Sequence, residues 1–415
     1  MTPLPLHRDG RYVRIWLVGW LTGVVRWLEL LAFGIFAFEV TGSPLLVAVV
    51  ALARFLPLAV FSLVFGAAAD QASPRKLLTG TVAGVTVVSG VMLLIQQSGS
   101  LAYWHIIVAT LASGIFWASD MPLRRKMIGE IAGPDRLAQA MSWDYATSNG
   151  TRMIGPLIGG ILYDDVGMGG IFAIGLALYL ASLICALGIA PTGGKRGGTF
   201  APGLALIGSI RATKRALRNN DAACVLAVTV IFNIWGFPFV SMIPVIGDEV
   251  LGLTPTQIGR IASIDGATGF IGIVLVGFFA TERWFRRIYL GGCILYIAMV
   301  GVAGLLPGVV PLSSALAVAG VASAGFATMQ ATIVYMIAPK GMRGRYLGLI
   351  SICIGAGLIG FANVGLMAEL FGPQAAATII AAEGMIAILV LLARWRALHV
   401  ELGLRPPAIQ TKAGA

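Results

Sequence analysis

Of the 415 residues 58% are hydrophobic and only 11% are charged, against about 25% charged in soluble domains, which excludes an ordinary water-soluble fold. A formal net charge of +11 would suggest nucleic-acid binding in a soluble protein, but the cations here follow a membrane pattern, and no nucleic-acid partner is expected. Cys185, Cys224, Cys293 and Cys353 stand singly, and His7, His105 and His399 are scattered. A Cys/His metal site is therefore not expected, and the absence of a phosphate-cradling Gly-rich loop ending in Lys-Ser/Thr argues against ATP as the energy source.

Twelve apolar stretches of membrane-spanning length can be marked. All but four of the 29 Lys and Arg fall in the two termini and in the connections after even-numbered stretches. The exceptions are Arg26, Arg54, Arg152 and Arg260. Cationic loops stay on the cytoplasmic side, so the alternation predicts twelve crossings with both termini cytoplasmic.

The N-terminus is short and polar, and no cleavable leader is expected. Span one, 14–38, carries Arg26 and Glu29, three apart on one face with Phe33 and Phe36. A charge at mid-bilayer costs roughly 2.5–3.5 kcal/mol, so it faces a wet cavity or a partner. These two form an intrahelical pair or line a cavity. Span two, 44–69, holds Arg54 and ends in Gly66-Ala-Ala-Ala-Asp70, with Arg75 and Lys76 beyond. Asp70 at a helix C-terminus opposes the helix dipole, so this element reads as a charged latch of a two-state gate or as a topology anchor.

Spans three and four are 77–96 and 101–123, and the fourth runs into Asp120-Met-Pro122-Leu-Arg124. Span five, 140–163, holds Asp144, Arg152 and the run Gly155-Pro156-Leu-Ile-Gly159-Gly160. Its proline predicts a kink and its glycines a close helix contact. Arg152 is expected to brace spans four and five through Asp120 or Asp144, or to hold a polar substrate group. Span six is 169–190. A Gly/Lys/Arg-rich stretch then divides the chain into a first bundle (1–190), a cytoplasmic linker (191–221), a second bundle (222–396) and a cytoplasmic tail (397–415).

Span seven, 222–247, sets Asn233, Trp235, Phe237 and Phe239 around Pro238, which should distort the helix. Asn233 and Phe237 are candidate cavity residues. Span eight, 256–280, carries Asp265, which has no partner nearby in sequence. It is the leading candidate for a coupling proton, with Glu29 second. Spans nine to twelve are 288–307, 313–337, 346–368 and 375–394. Glu383 in the last should face lipid or an oligomer contact. Gly355-Ala-Gly357-Leu-Ile-Gly360 in span eleven echoes the span-five motif, and similar halves imply a site between them near the midplane.

At these residues the chain resembles the major facilitator superfamily. The loop signature is Gly66 to Asp70 with Arg75 and Lys76, although Gln71 stands where an arginine is usual. Glu39-Val-Thr-Gly-Ser-Pro44, Asp120 to Arg124, Arg152 before Gly-Pro, and Met342-Arg-Gly-Arg345 resemble the branch containing the enterobactin exporter and macrolide efflux proteins. In the superfamily, the motif formed by Gly155, Pro156, Gly159 and Gly160 is associated with exporters and antiporters, though Thr151 replaces a further glycine of the longer pattern. The resemblance implies an all-α membrane protein of twelve transmembrane helices in two pseudo-symmetric six-helix bundles. It also implies a multi-pass inner-membrane transporter without cofactor, and proton-coupled export of an amphipathic siderophore or drug-like molecule. Arg26, Arg54 or Arg152 would hold an anionic or polar group of that substrate.

An uptake symporter or uniporter of the same fold is the alternative. A membrane enzyme for lipid-linked substrates is disfavoured because its clustered acids, histidines or metal set are missing. A transport-dead receptor is disfavoured by Asp70 and the mid-membrane charges. The oligomeric state is not legible.

Overall fold

In a computed structural model, residues 5–71, 73–190, 218–338 and 343–397 are described. The side chains of 62–71, 134, 138, 343–345, 347–348, 351 and 395–397 lie outside that description. So do most of the predicted linker and tail, Trp395, and the side chains of Met342-Arg-Gly-Arg345.

Short signals set the helix ends. Asp9 caps α1 (Gly10–Thr41) by accepting from the Arg11 amide, and Gly42 ends it at φ 63°. The left-handed conformation suits glycine. Pro44 opens α2 (Pro44–Gln71), and Pro74 opens α3 (Pro74–Gln97). The next run, Tyr103–Leu187, leaves helical geometry at Gly133 (φ 68°) and Gly167 (φ 66°). It is therefore three helices: α4 (103–132), α5 (134–166) and α6 (168–187). Only residues without a Cβ turn the chain so sharply at those two points. Arg136, just past the first break, donates to the Ile131 and Ala132 carbonyls and caps α4.

The second half begins with α7 (Asn220–Val250), two residues before the predicted start, where Asn219 accepts from the Asp221 and Ala222 amides. The expected distortion at Pro238 is present. The helix widens over Phe232–Gly236 and tightens over Phe237–Met242, because the proline has no N–H to give the preceding turn. Pro156 differs: α5 keeps helical dihedrals through it, so the predicted kink does not appear as a break. Then follow α8 (Pro255–Phe279), capped reciprocally by Thr254 and Gln257, α9 (Phe285–Leu305) and α10 (Val309–Ile337). Next is α11, in two pieces, Arg343–Gly355 and Gly357–Phe371, and last α12 (Pro373–Ala397). Twelve helices and no strand are present among the described residues.

The halves meet along two seams, α5 with α8 and α2 with α11. At the first, a methyl on Gly160 would lie 2.9 Å from the Gly259 Cα, and one on Gly266 would lie 2.7 Å from the Arg152 carbonyl oxygen. Pro156 deprives that carbonyl of its helical donor. The backbones thus touch without intervening side chains, as small residues permit in membranes. The second seam sets Gly365 on Ala48 and Gly355 on Ala59.

The larger apolar core mixes residues of both halves, such as Phe33, Val47, Ile243 and Ile258. A second core, including Tyr12, Leu78, Ile128 and Tyr179, contains first-half residues alone and lies at the end that holds the N-terminus, the inner end by the charge expectation. The halves are thus joined from the midplane to the outer end. Large exposed apolar side chains such as Ile184, Phe278 and Val310 belong to a surface solvated by lipid rather than water.

Glu383 on α12 does not face lipid, contrary to the sequence expectation. It accepts from the Trp235 indole at 2.8 Å and the Asn363 amide at 2.7 Å, so it ties α12 to α7 and α11. Neither donor could supply the partner from sequence alone, because both lie on other helices. Glu383→Ala strands two donors and should cost about 1–3 kcal/mol for each group left buried and unpaired. A lower thermal midpoint in detergent would register it; an unchanged midpoint would refute the tie.

Candidate functional site

The first half buries a chain of charges. Glu29 on α1 accepts from Arg54 on α2 at 2.9 Å, from Ser113 on α4 at 2.9 Å and from the Tyr179 hydroxyl on α6 at 3.4 Å. Arg54 also donates to the Arg26 carbonyl at 3.2 Å. Arg26 itself reaches Asp120 at 3.4 Å and lies over the Trp117 ring. Asp120 in turn holds Arg124 at 3.2 Å, and Arg124 pairs with Asp144, which Arg125 approaches at 3.4 Å. The predicted Arg26–Glu29 pair is therefore not formed. Each takes a partner on another helix, so three carboxylates and four arginines brace α1, α2, α4, α5 and α6 into one unit.

Arg152 corrects a second expectation. It does not lock α4 to α5, because Asp120 and Asp144 are already taken by Arg26, Arg124 and Arg125. Instead it crosses to the other half and pairs with Asp265 on α8. Asp265 lies ten residues into α8, about 15 Å below its outer start at 1.5 Å per residue, near the middle of a roughly 30 Å core. Its side chain is 6% exposed and that of Arg152 17%. The Asp265 Oδ1 has no hydrogen-bond partner, and the Arg152 guanidinium also lies over the Trp27 ring.

The pair borders a cavity of about 40 Å³ between the halves, lined among others by Trp27, Pro156, Ser241 and Pro244. At roughly 10–15 Å³ per site it has room for a few water-sized molecules. Phe55, Trp117, Phe237 and Phe361 pack into one aromatic cluster from α2, α4, α7 and α11, with centroids 5.0–5.4 Å from Phe55. Phe237 therefore belongs to a packed aromatic wall. Asn233 turns back on its own helix and donates to the Thr229 carbonyl at 2.9 Å, beside a buried knot of Thr229, Tyr289 and Gln330. No cavity role follows for it.

Outward of this level the halves are latched by polar contacts. Ser43 donates to Glu369 at 2.7 Å, and the Leu45 amide to the same carboxylate at 3.2 Å. Asp164 at the end of α5 accepts from Thr254 and Thr256 at the start of α8. At the inner end Arg75 donates to the Leu187 carbonyl at 2.7 Å and Arg14 to Gly188, capping α6 where cations suit the helix dipole. Lys76 is exposed. Gly66 and Asp70 lie on the part of α2 whose side chains are outside the described residues. Gly155 and Gly159 pack on the α1 backbone at Trp27 and Leu28, and Gly160 on α8.

Sequence reasoning missed Trp27, Trp117 and Phe361 at this site. Trp27 follows Arg26 directly, and Trp117 sits one turn before Asp120, which is the signal that could have found them. No group of three or more His, Cys, Asp or Glu able to hold a metal occurs among the described residues.

The profile of the Major Facilitator Superfamily matches residues 15–315 and 249–412. The chain belongs to this superfamily. It is a multi-pass membrane transporter, not an enzyme. It is 23% identical over 278 residues to macrolide efflux protein A of Streptococcus pyogenes, covering 66% of this chain and 67% of that protein. It is also 24% identical over 395 residues to the multidrug efflux pump Tap of Mycolicibacterium fortuitum, covering 89% and 91%. The crystal structure of the nucleoside transporter NupG superposes with a TM-score of 0.75 at 12% identity, covering 94% of this chain and 99% of the other. At that identity the likeness concerns the fold.

Removing one member of a buried ion pair costs about 3–5 kcal/mol. Arg54→Met, which leaves Glu29 without its cation, should therefore sharply lower the folded yield in size-exclusion chromatography. Adding Glu29→Gln should restore much of it. A normal yield for the single variant would show that the pair is not a brace.

Proposed function

We propose that this transporter exports an amphipathic small molecule, drug-like or siderophore-like, in exchange for protons. Two six-helix halves, 1–190 and 222–396, would rock about the midplane, with 191–221 as their cytoplasmic link and 397–415 as a cytoplasmic tail. The observation that carries this reading is the Arg152–Asp265 pair. It joins the halves at mid-depth, beside a small cavity, with one carboxylate oxygen still free to receive a proton.

Asp265 has two competing partners, a proton and Arg152. Arginine stays charged under all relevant conditions, so protonation of Asp265 weakens the pair without neutralising its partner. With the outer end latched and the pair formed, the protein corresponds to a state that has released its proton inward. Cargo from the cytoplasm would then enter between the halves, its apolar part on Trp27 and Trp117 and its polar part near Arg26 or Arg152. Opening outward would break the Ser43–Glu369 and Asp164–Thr256 contacts, let Asp265 take a proton from outside and release the cargo. Return of the protonated form and loss of the proton inside would restore the pair.

Glu29 fits the coupling role less well. Arg54, Ser113 and Tyr179 already satisfy it, and it stays within one half. Arg54 likewise reads as a brace rather than a substrate ligand. Gly66, Asp70, Arg75 and Lys76 would form the inner latch of the outward-open state. The efflux names of the Streptococcus and Mycolicibacterium relatives support the direction, as does the Gly155–Gly160 motif.

Inside-out membrane vesicles energised by respiration should accumulate a radiolabelled macrolide, and a protonophore should abolish the accumulation. Asp265→Asn should remove the gradient dependence at normal protein level, while downhill movement persists. Unchanged pH dependence in that variant would reject Asp265, and accumulation by right-side-out vesicles would establish uptake instead. Ser43→Cys with Glu369→Cys should crosslink across the outer end and stop transport until a reductant is added. Full transport in the crosslinked protein would refute rocking about the midplane.

A further inference from the structure

Arg260 breaks the alternation of charge along the chain and takes no part in the site above. It lies five residues after Pro255 on α8, about 8 Å inside the outer end of the helix, from where a long side chain can snorkel up to the lipid phosphates. Its side chain is exposed. Unlike Arg26, Arg54, Arg124 and Arg152, it has no carboxylate partner among the described residues.

Arg260 opens onto a groove of about 390 Å³ between the starts of α8 and α10, lined by Leu253, Gln257, Ile261, Ile264, Val309 and Ser313. Its lining is polar at one level and apolar below. Gln257, Arg260 and Ile264 follow one another at three- and four-residue spacing, so they share a helix face. The stripe continues down the membrane through Ile271 and Leu275, 54% and 44% exposed. The Gln257 carboxamide oxygen accepts from the Thr254 amide at 2.9 Å, which leaves its NH₂ as a donor beside the guanidinium.

We propose that this groove binds an anionic phospholipid of the outer leaflet. The phosphate sits on Arg260 with Gln257 and Ser313 beside it, and an acyl chain follows Ile264, Ile271 and Leu275. Charge selects the headgroup. The lining contains a cation and no acid, so a headgroup amine would be set against Arg260, whereas an uncharged alcohol headgroup leaves the phosphate free to pair with it. The preceding residue, Gly259, lies in the α5–α8 seam, so the bound lipid would buttress the outer end of the helix that carries Asp265. The inference rests on the charge-derived orientation and not on cargo or coupling.

Native mass spectrometry of the purified full-length protein tests it, with phosphatidylglycerol and phosphatidylcholine of equal chain length supplied in competition. The wild-type protein should retain phosphatidylglycerol preferentially. Arg260→Gln should reduce that retention about tenfold, the loss expected for one charge-assisted hydrogen bond. Ser313→Phe keeps the arginine but fills the groove, and it should reduce retention comparably. Arg287→Gln, at the opposite end of the membrane, should change nothing. Equal retention of the two lipids by the wild-type protein would overturn the proposal, and so would undiminished retention in Arg260→Gln. Undiminished retention in Ser313→Phe would overturn it as well, because it would mean the arginine merely meets bulk headgroups.

Discussion

A charge drawn into hydrocarbon must find a partner, and that constraint arranges the interior of this transporter. Glu29 with Arg54, and Arg26 with Asp120, Arg124 and Asp144, satisfy it inside the first half. Their bonds link five helices and give that half the stiffness of a single body. Arg152 with Asp265 satisfies the same constraint across the boundary. Motion between the halves leaves the internal pairs intact, whereas the Arg152–Asp265 pair lies where the two bodies meet. Stability and sensitivity thus come from the same chemistry placed at two kinds of address.

Packing divides along the same line. Apolar contacts spanning both halves reach from the midplane outward, while the inner core of the first half is self-contained. The aromatic cluster of Phe55, Trp117, Phe237 and Phe361 packs at the level of the paired charges, with Trp117 under the Arg26 guanidinium.

Much of the fold was legible because lipid imposes coarse rules. Span length and the alternation of Lys and Arg located twelve helices, although α4 runs to 132 rather than 123 and α5 starts at 134 rather than 140, and Pro238 announced the distortion of α7. The partners of the buried charges were not legible. Arg26 and Glu29 are neighbours on one helix, yet both bond elsewhere, because Arg54, Ser113 and Asp120 offer better geometry from other helices. Arg152 was assigned to Asp120 or Asp144 of its own half, which were already occupied. Glu383 looked lipid-facing because its donors, Trp235 and Asn363, lie on helices distant in the chain. Pairing between helices depends on rotation and register, and hydropathy carries neither. The residue types were readable, their destinations were not.

The contact of α5 with α8 at Gly160 and Gly259 is made by bare main chain. A joint built from side chains must unlock rotamers before it can turn, and each change of angle meets a barrier. Here two smooth ribbons of peptide face each other, so a small tilt costs little in torsion and changes few van der Waals partners. In the proposed rocking this contact would serve as a hinge with nothing interlocked to release, and even a single added methyl would act as grit.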